Sequence, residues 1–174
     1  MRRPAAVFIT FALAAGTAGC GGDTPRPPSA TPPPASEQAS DPAAGKPVTL
    51  ACGSTRLKVP GAPPPLARSG SFGRLDALAR RLKVRGVTWR DDEGELLRVG
   101  VVCGVRTAEQ FATLVARSTL TAYRGKPALR WTTRGGLRNF MWLESPGTAV
   151  YLAATPGMTA QLRQTAAAIR EGAS

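Results

Sequence analysis

The chain has 174 residues, 43% of them hydrophobic, enough for one domain of ordinary size with a packed core and tails. It contains no histidine, which excludes the commonest general base, any Ser-His or Cys-His nucleophile pair and a histidine-bearing metal site. The net charge is +12, and Val48 to Ser174 holds 19 of the 23 basic and 8 of the 11 acidic residues, so that stretch is drawn to anionic partners unless the charge is solvated surface.

In chain order, "MRRPAAVFITFALAAGTAGC" has the three parts of a secretory signal peptide: Arg2 and Arg3, an apolar run over residues 5–15, and small residues. The run is shorter than the roughly 20 apolar residues a membrane span needs. Pro4 and two alanines follow the arginine pair where a twin-arginine signal places an apolar aromatic, which favours the general secretory route. Thr17-Ala18-Gly19-Cys20 resembles the lipobox of bacterial lipoproteins, departing from it where Thr17 replaces the usual Leu. The resemblance implies that residues 1–19 are a signal peptide and that Cys20 carries a diacylglycerol. The protein is then held at the extracytoplasmic face of the cell membrane, each buried methylene contributing about 0.8 kcal/mol. Residues 20–47 follow as a disordered linker: eight prolines lie between Pro25 and Pro47, with almost no large apolar side chain to offset the entropy of ordering.

Residues 48–174 are expected to fold as one domain. In "VTLACG", Val48, Leu50 and Cys52 share one strand face; in "LLRVGVVCGV", Leu97, Val99, Val101, Cys103 and Val105 do the same. Both sulfurs point coreward, and in an exported chain with Cys20 assigned to lipid this predicts a Cys52–Cys103 disulfide. Phe72, Leu75, Leu78, Ala79 and Leu82 recur at helical spacing. "GVTWR" and "ELLRVGVVCGV" read as a hairpin through "DDEG". Thr107 and Gln110 read as a capping box opening a helix with Phe111, Leu114 and Val115 inward. Strands are expected in "KPALRWTT", "LRNFMWLE" and "TAVYLAAT", with turns at "RGG" and "SPG". A last helix spans about Met158 to Arg170, burying Leu162, Ala166 and Ile169. The expected class is α+β: an antiparallel sheet of five to six strands, three helices mainly on one face, and one disulfide.

"RNFMWLESPGTAVYLAATPGMTAQLRQTAAAI" resembles the end of small secreted or membrane-tethered bacterial domains in which a W-x-E-x-x-G hairpin precedes an Ala-rich helix. Such domains occur near anti-sigma-type regulators. The resemblance implies a non-catalytic sensing or binding role and carries over no functional residues.

Few residues suggest chemistry. Asp91, Asp92, Glu93 and Glu95 raise a calcium or acid–base site, but they sit in a glycine-containing turn where solvated carboxylates are routine. Glu144 beside Trp142 raises a sugar-binding or acid pair, again next to a turn. No metal and no cofactor is expected, nor catalysis. The candidate binding surface interleaves Arg124, Lys126, Arg130, Arg134 and Arg138 with Phe140 and Trp142. Arg138, Phe140 and Trp142 share a strand phase; they form an exposed stripe if Leu137, Met141 and Leu143 face the core, and are core themselves if not. For an exported, tethered domain the fitting partners are anionic lipid, a wall polymer or an acidic protein, and not nucleic acid. The expected function is that of a lipid-anchored protein with a basic binding domain. The alternatives are an envelope enzyme or inhibitor, and a sensor module engaging a membrane protein.

Overall fold

The computed structural model describes residues 45–172, so the expected signal peptide, Cys20 and nearly all of the expected linker lie outside the described residues. The described chain is mostly β, which corrects the α+β expectation: ten strands form two antiparallel sheets, with two short α-helices. A three-stranded sheet has the order β1 (Val48–Cys52), β2 (Thr55–Val59), β10 (Arg170–Glu171). The larger sheet has seven strands: β3 (Ala67–Phe72), β4 (Lys83–Arg90), β5 (Leu96–Cys103), β6 (Thr119–Tyr123), β7 (Lys126–Thr132), β8 (Arg138–Ser145) and β9 (Thr148–Ala154). Their spatial order is β3-β4-β5-β9-β8-β7-β6.

Two meanders therefore meet at β5 and β9. The segment that joins them holds α1 (Ala108–Ala112), which takes the chain from the middle of the sheet to its far edge before β6 to β9 return. Along the middle strands β5, β9 and β8 both faces of the sheet are covered. On the first face, Val99, Trp142 and Leu152 pack with Leu50, Leu57 and Val59 of the small sheet and with Leu162, Ala166 and Ile169 at α2 (Thr159–Ala168). On the second, Val102, Met141 and Tyr151 pack with Leu75, Phe111 and Leu114. Every residue of β9 is buried, which is why "TAVYLAA" reads as a continuous apolar run rather than an alternation. The Cys52–Cys103 disulfide ties the small sheet to the large one with a Cα–Cα distance of 5.4 Å.

Double coverage also settles the phase of β8. Phe140 and Trp142 are buried, and so is Met141 between them. The exposed aromatic stripe requires one bare face at β8, and from Phe140 to Trp142 that strand is buried on both.

The helix expected over Phe72–Leu82 does not form. Phe72 ends β3, and residues 73–82 make irregular turns, although Leu75, Leu78 and Leu82 still turn inward. The Ala79 N–H, which a helix would send to Leu75, donates instead to the Leu114 carbonyl at 2.8 Å. The Phe72 ring lies across two glycines of neighbouring strands: a Cβ at Gly86 would meet its Cζ at 2.2 Å, and one at Gly100 at 2.9 Å. It stands edge-on to Tyr151, centroids 6.0 Å apart, with the Arg98 guanidinium 4.7 Å from its centre. A ring filling the space over strand glycines stabilises the strands around it, and that contact outweighs a marginal eleven-residue helix.

The second expected helix shortens to the five residues of α1. Its capping residue acts as expected: Gln110 N–H donates to Thr107 Oγ1 at 3.2 Å, while the Gln110 side chain accepts from Arg106 N–H. Of the strands missing from the expectation, β3 and β6 are sheet edges with no buried residue, so no apolar alternation marks them. β2 does alternate, but only Leu57 and Val59 carry its pattern.

Candidate functional site

A hollow of about 910 Å³ lies on the first face, between the β6–β7–β8 end of the sheet and α2. Cross-strand register builds its floor. Thr119 faces Arg130 and Arg130 faces Phe140; two residues along, Thr132 faces Arg138. Arg130 and Arg138 are therefore diagonal neighbours on one face, a spacing of roughly 7–8 Å. Tyr123 and Phe140 meet edge to face at 5.2 Å, and Trp142 closes against both. The Arg130 guanidinium lies 5.4 Å from the Phe140 ring centre.

The opposite wall is α2. Thr159, Arg163 and Ala166 recur three and four residues apart, which puts them on one side of the helix facing the floor. Arg138 donates to Thr159 Oγ1 at 3.1 Å, fixing its guanidinium between strand and helix. Arg117, from the turn before β6, completes the rim. Four arginines thus line one groove, and among the described residues no Asp or Glu does. Among the described residues the salt bridges are Arg74–Asp76 and Lys126–Glu144, so none of the four is neutralised by a carboxylate.

The residues picked out from sequence divide accordingly. Arg130, Arg138 and Phe140 meet in the groove. Arg124 occupies a tight turn with Gly125, both at positive φ, and its Nη2 donates to the Ala167 carbonyl at 2.7 Å. It satisfies one of the carbonyls at the end of α2 that have no partner within the helix, where a positive charge is also favoured. Lys126 is committed to Glu144, and the buried Trp142 donates its Nε1–H to the same carboxylate. Burial raises the Glu144 pKa, but hydrogen bonds from Lys126 and Trp142 and the charges of Lys126 and Arg124 outweigh it and hold it below the ordinary value. Glu144 is therefore a latch between β7 and β8. Arg134 sits exposed in the β7–β8 turn, outside the groove. Trp131 turns to the other face, against Tyr151 at 5.9 Å.

Sequence reading missed Arg117, Arg163 and Tyr123. Arg163 had a signal, since it lies beside Leu162 and three residues before Ala166 on a helix expected from the pattern. Arg117 had none, because an irregular turn brings it to the rim.

The acidic cluster shapes a turn. Asp91 Oδ1 accepts from the backbone N–H groups of Glu93 and Glu95 at 3.0 and 2.9 Å, and Gly94 takes φ +90°. Among the described residues no group of three Cys, Asp or Glu side chains is placed to hold a metal ion, and no helix is long and apolar enough to cross a membrane. Comparison of the chain with protein-family models, curated proteins and solved structures finds no match.

Proposed function

We propose that this chain is an exported lipoprotein, anchored through Cys20 at the outer face of the cytoplasmic membrane, whose folded domain binds an anionic partner in the arginine groove. The observation that carries the binding reading is the set of four arginines around one hollow with no carboxylate among them. Like charges at diagonal sheet positions repel, and an anion seated between them removes that cost. Guanidinium groups remain protonated throughout the physiological range, so they hold a charge and do not relay a proton. That favours binding over acid–base catalysis.

Fluorescence anisotropy of a labelled polyglutamate against the protein tests the groove. Arg130→Ala combined with Arg163→Ala is expected to weaken binding by about tenfold or more, with affinity falling steeply as salt rises. Unchanged affinity in the double variant overturns the assignment. Intact-mass measurement of the membrane fraction tests the anchor. The expected mature chain begins at Cys20 and carries acyl mass; a chain beginning there without it overturns the lipoprotein reading.

A further inference from the structure

Strand β6 borders the groove and ends the seven-stranded sheet. The two-residue Arg124–Gly125 turn makes Tyr123 and Lys126 a hydrogen-bonded pair, and such pairs alternate along an antiparallel ladder. Thr121 and Thr119 therefore spend their backbone groups on β7, while Leu120 and Ala122 aim theirs outward. No backbone bond outside the strands uses these groups among the described residues. The opposite edge, β3, is blunted by a bulge between Arg68 and Gly70 and carries Arg68 within the strand. "TLTAY" has no charge, proline or bulge, the usual devices that keep an edge strand from pairing.

The two sides of this edge differ. Thr119 and Tyr123 face the groove and its arginines. Leu120 faces the other way, opposite the buried Leu129, yet is 58% exposed, the one large apolar side chain so exposed among the described residues.

We propose that β6 is a docking edge for an extended acidic polypeptide, which adds to the sheet as an antiparallel strand with acidic side chains toward the groove and apolar ones toward Leu120. The proposal rests on the groove being the binding site and names its occupant. Strand addition supplies main-chain hydrogen bonds, and alternate side chains supply selectivity. Charge decides between partners. A second copy paired on β6 would bring its own Arg117 and Arg130 to the same edge, whereas carboxylates at alternate positions neutralise them.

The register makes a test possible on the peptide, leaving the protein intact. Residues directly opposite Leu120 and Ala122 are the apolar ones, so their N–H groups bond to β6, and the acidic residues' N–H groups point away. The full chain, purified in neutral detergent, is titrated with a labelled alternating Glu-Val peptide of about ten residues, long enough to span β6. The controls are a block peptide of the same composition and two alternating peptides N-methylated only at Val or only at Glu. The alternating peptide is expected to bind about tenfold tighter than the block peptide. Methylation at Val abolishes that gain, and methylation at Glu leaves it. Equal effects of the two methylations, or a greater loss from methylation at Glu, overturn the proposal. So does a block peptide that binds as well, or a dimer in the same preparation. If no alternating peptide binds while polyglutamate still does, strand addition fails and the groove reading stands. If polyglutamate also fails, both fall.

Discussion

Replacing Gly86 with alanine tests the contact that took Phe72 out of a helix. A Cβ there would lie 2.2, 2.4 and 2.7 Å from three atoms of the Phe72 ring, far inside van der Waals distance, so the ring must leave. Its departure forfeits the edge-to-face contact with Tyr151, worth about 1 kcal/mol, and the Arg98 cation–π contact, worth about 0.5–1 kcal/mol. About 1–1.5 kcal/mol of apolar burial goes with it, since Phe72 is half-buried. Against roughly 3 kcal/mol lost, alanine restricts the unfolded chain by about 0.4–1 kcal/mol relative to glycine. The net expectation is destabilisation of about 2 kcal/mol, read as a lower urea midpoint at unchanged slope. Phe72→Ala alone loses the same contacts. In that background the clash is gone, and Gly86→Ala should become stabilising by about 0.5 kcal/mol. The reversal of sign is the decisive reading. If Gly86→Ala costs the same with and without Phe72, the ring does not occupy the space over the strand glycines.

The other expectations concern the disulfide and two titrating groups. Reduction, or Cys103→Ser, opens a loop spanning 51 residues and should cost about 4 kcal/mol on the chain-entropy account, with thiol alkylation labelling neither cysteine before reduction. Burial pushes the Tyr151 hydroxyl up to about 12, only partly opposed by the Arg98 charge, and the hydroxyl donates to Asn139 Oδ1 at 2.7 Å. The folded state then keeps a proton that the unfolded chain releases near pH 10, so stability falls from about pH 10 to 12 by roughly 2–3 kcal/mol. Unfolding measured across that range should show the decline, and Tyr151→Phe should remove it. Glu144 has the opposite sign: its lowered pKa means its contribution is present above the ordinary carboxylate pKa and is lost as pH falls through the folded value. Glu144→Gln should flatten that part of the acid limb in a pH series of urea midpoints.

What could be read in the sequence was local. The β4–β5 hairpin, the β7–β8–β9 meander and α2 each announce themselves through alternation, turn glycines or helical spacing within about a dozen residues. The disulfide partners were legible because each lies in phase with a run of inward residues. Edge strands were not legible: β3 and β6 bury nothing, and burial is what writes a pattern. The stretch from Leu75 to Leu82 misled for the reverse reason. Its leucines do turn inward, but successive turns can bury the same positions as a helix once the backbone finds partners elsewhere, as Ala79 does at Leu114.

Periodicity and composition alone marked the buried strands of the large sheet, the pair of cysteines that could bridge and the strongly basic character of the domain. That both faces of the sheet are covered at β8, which sends Phe140 and Trp142 into the core and leaves the arginines to line the groove, came from the packing of distant segments. The same packing also decided that Arg117, Arg130, Arg138 and Arg163 share that groove while Arg124 and Lys126 are committed elsewhere. The reason is physical: charge and periodicity are properties of a segment, whereas an unneutralised cluster depends on which segments the sheet order and the closing helix bring together.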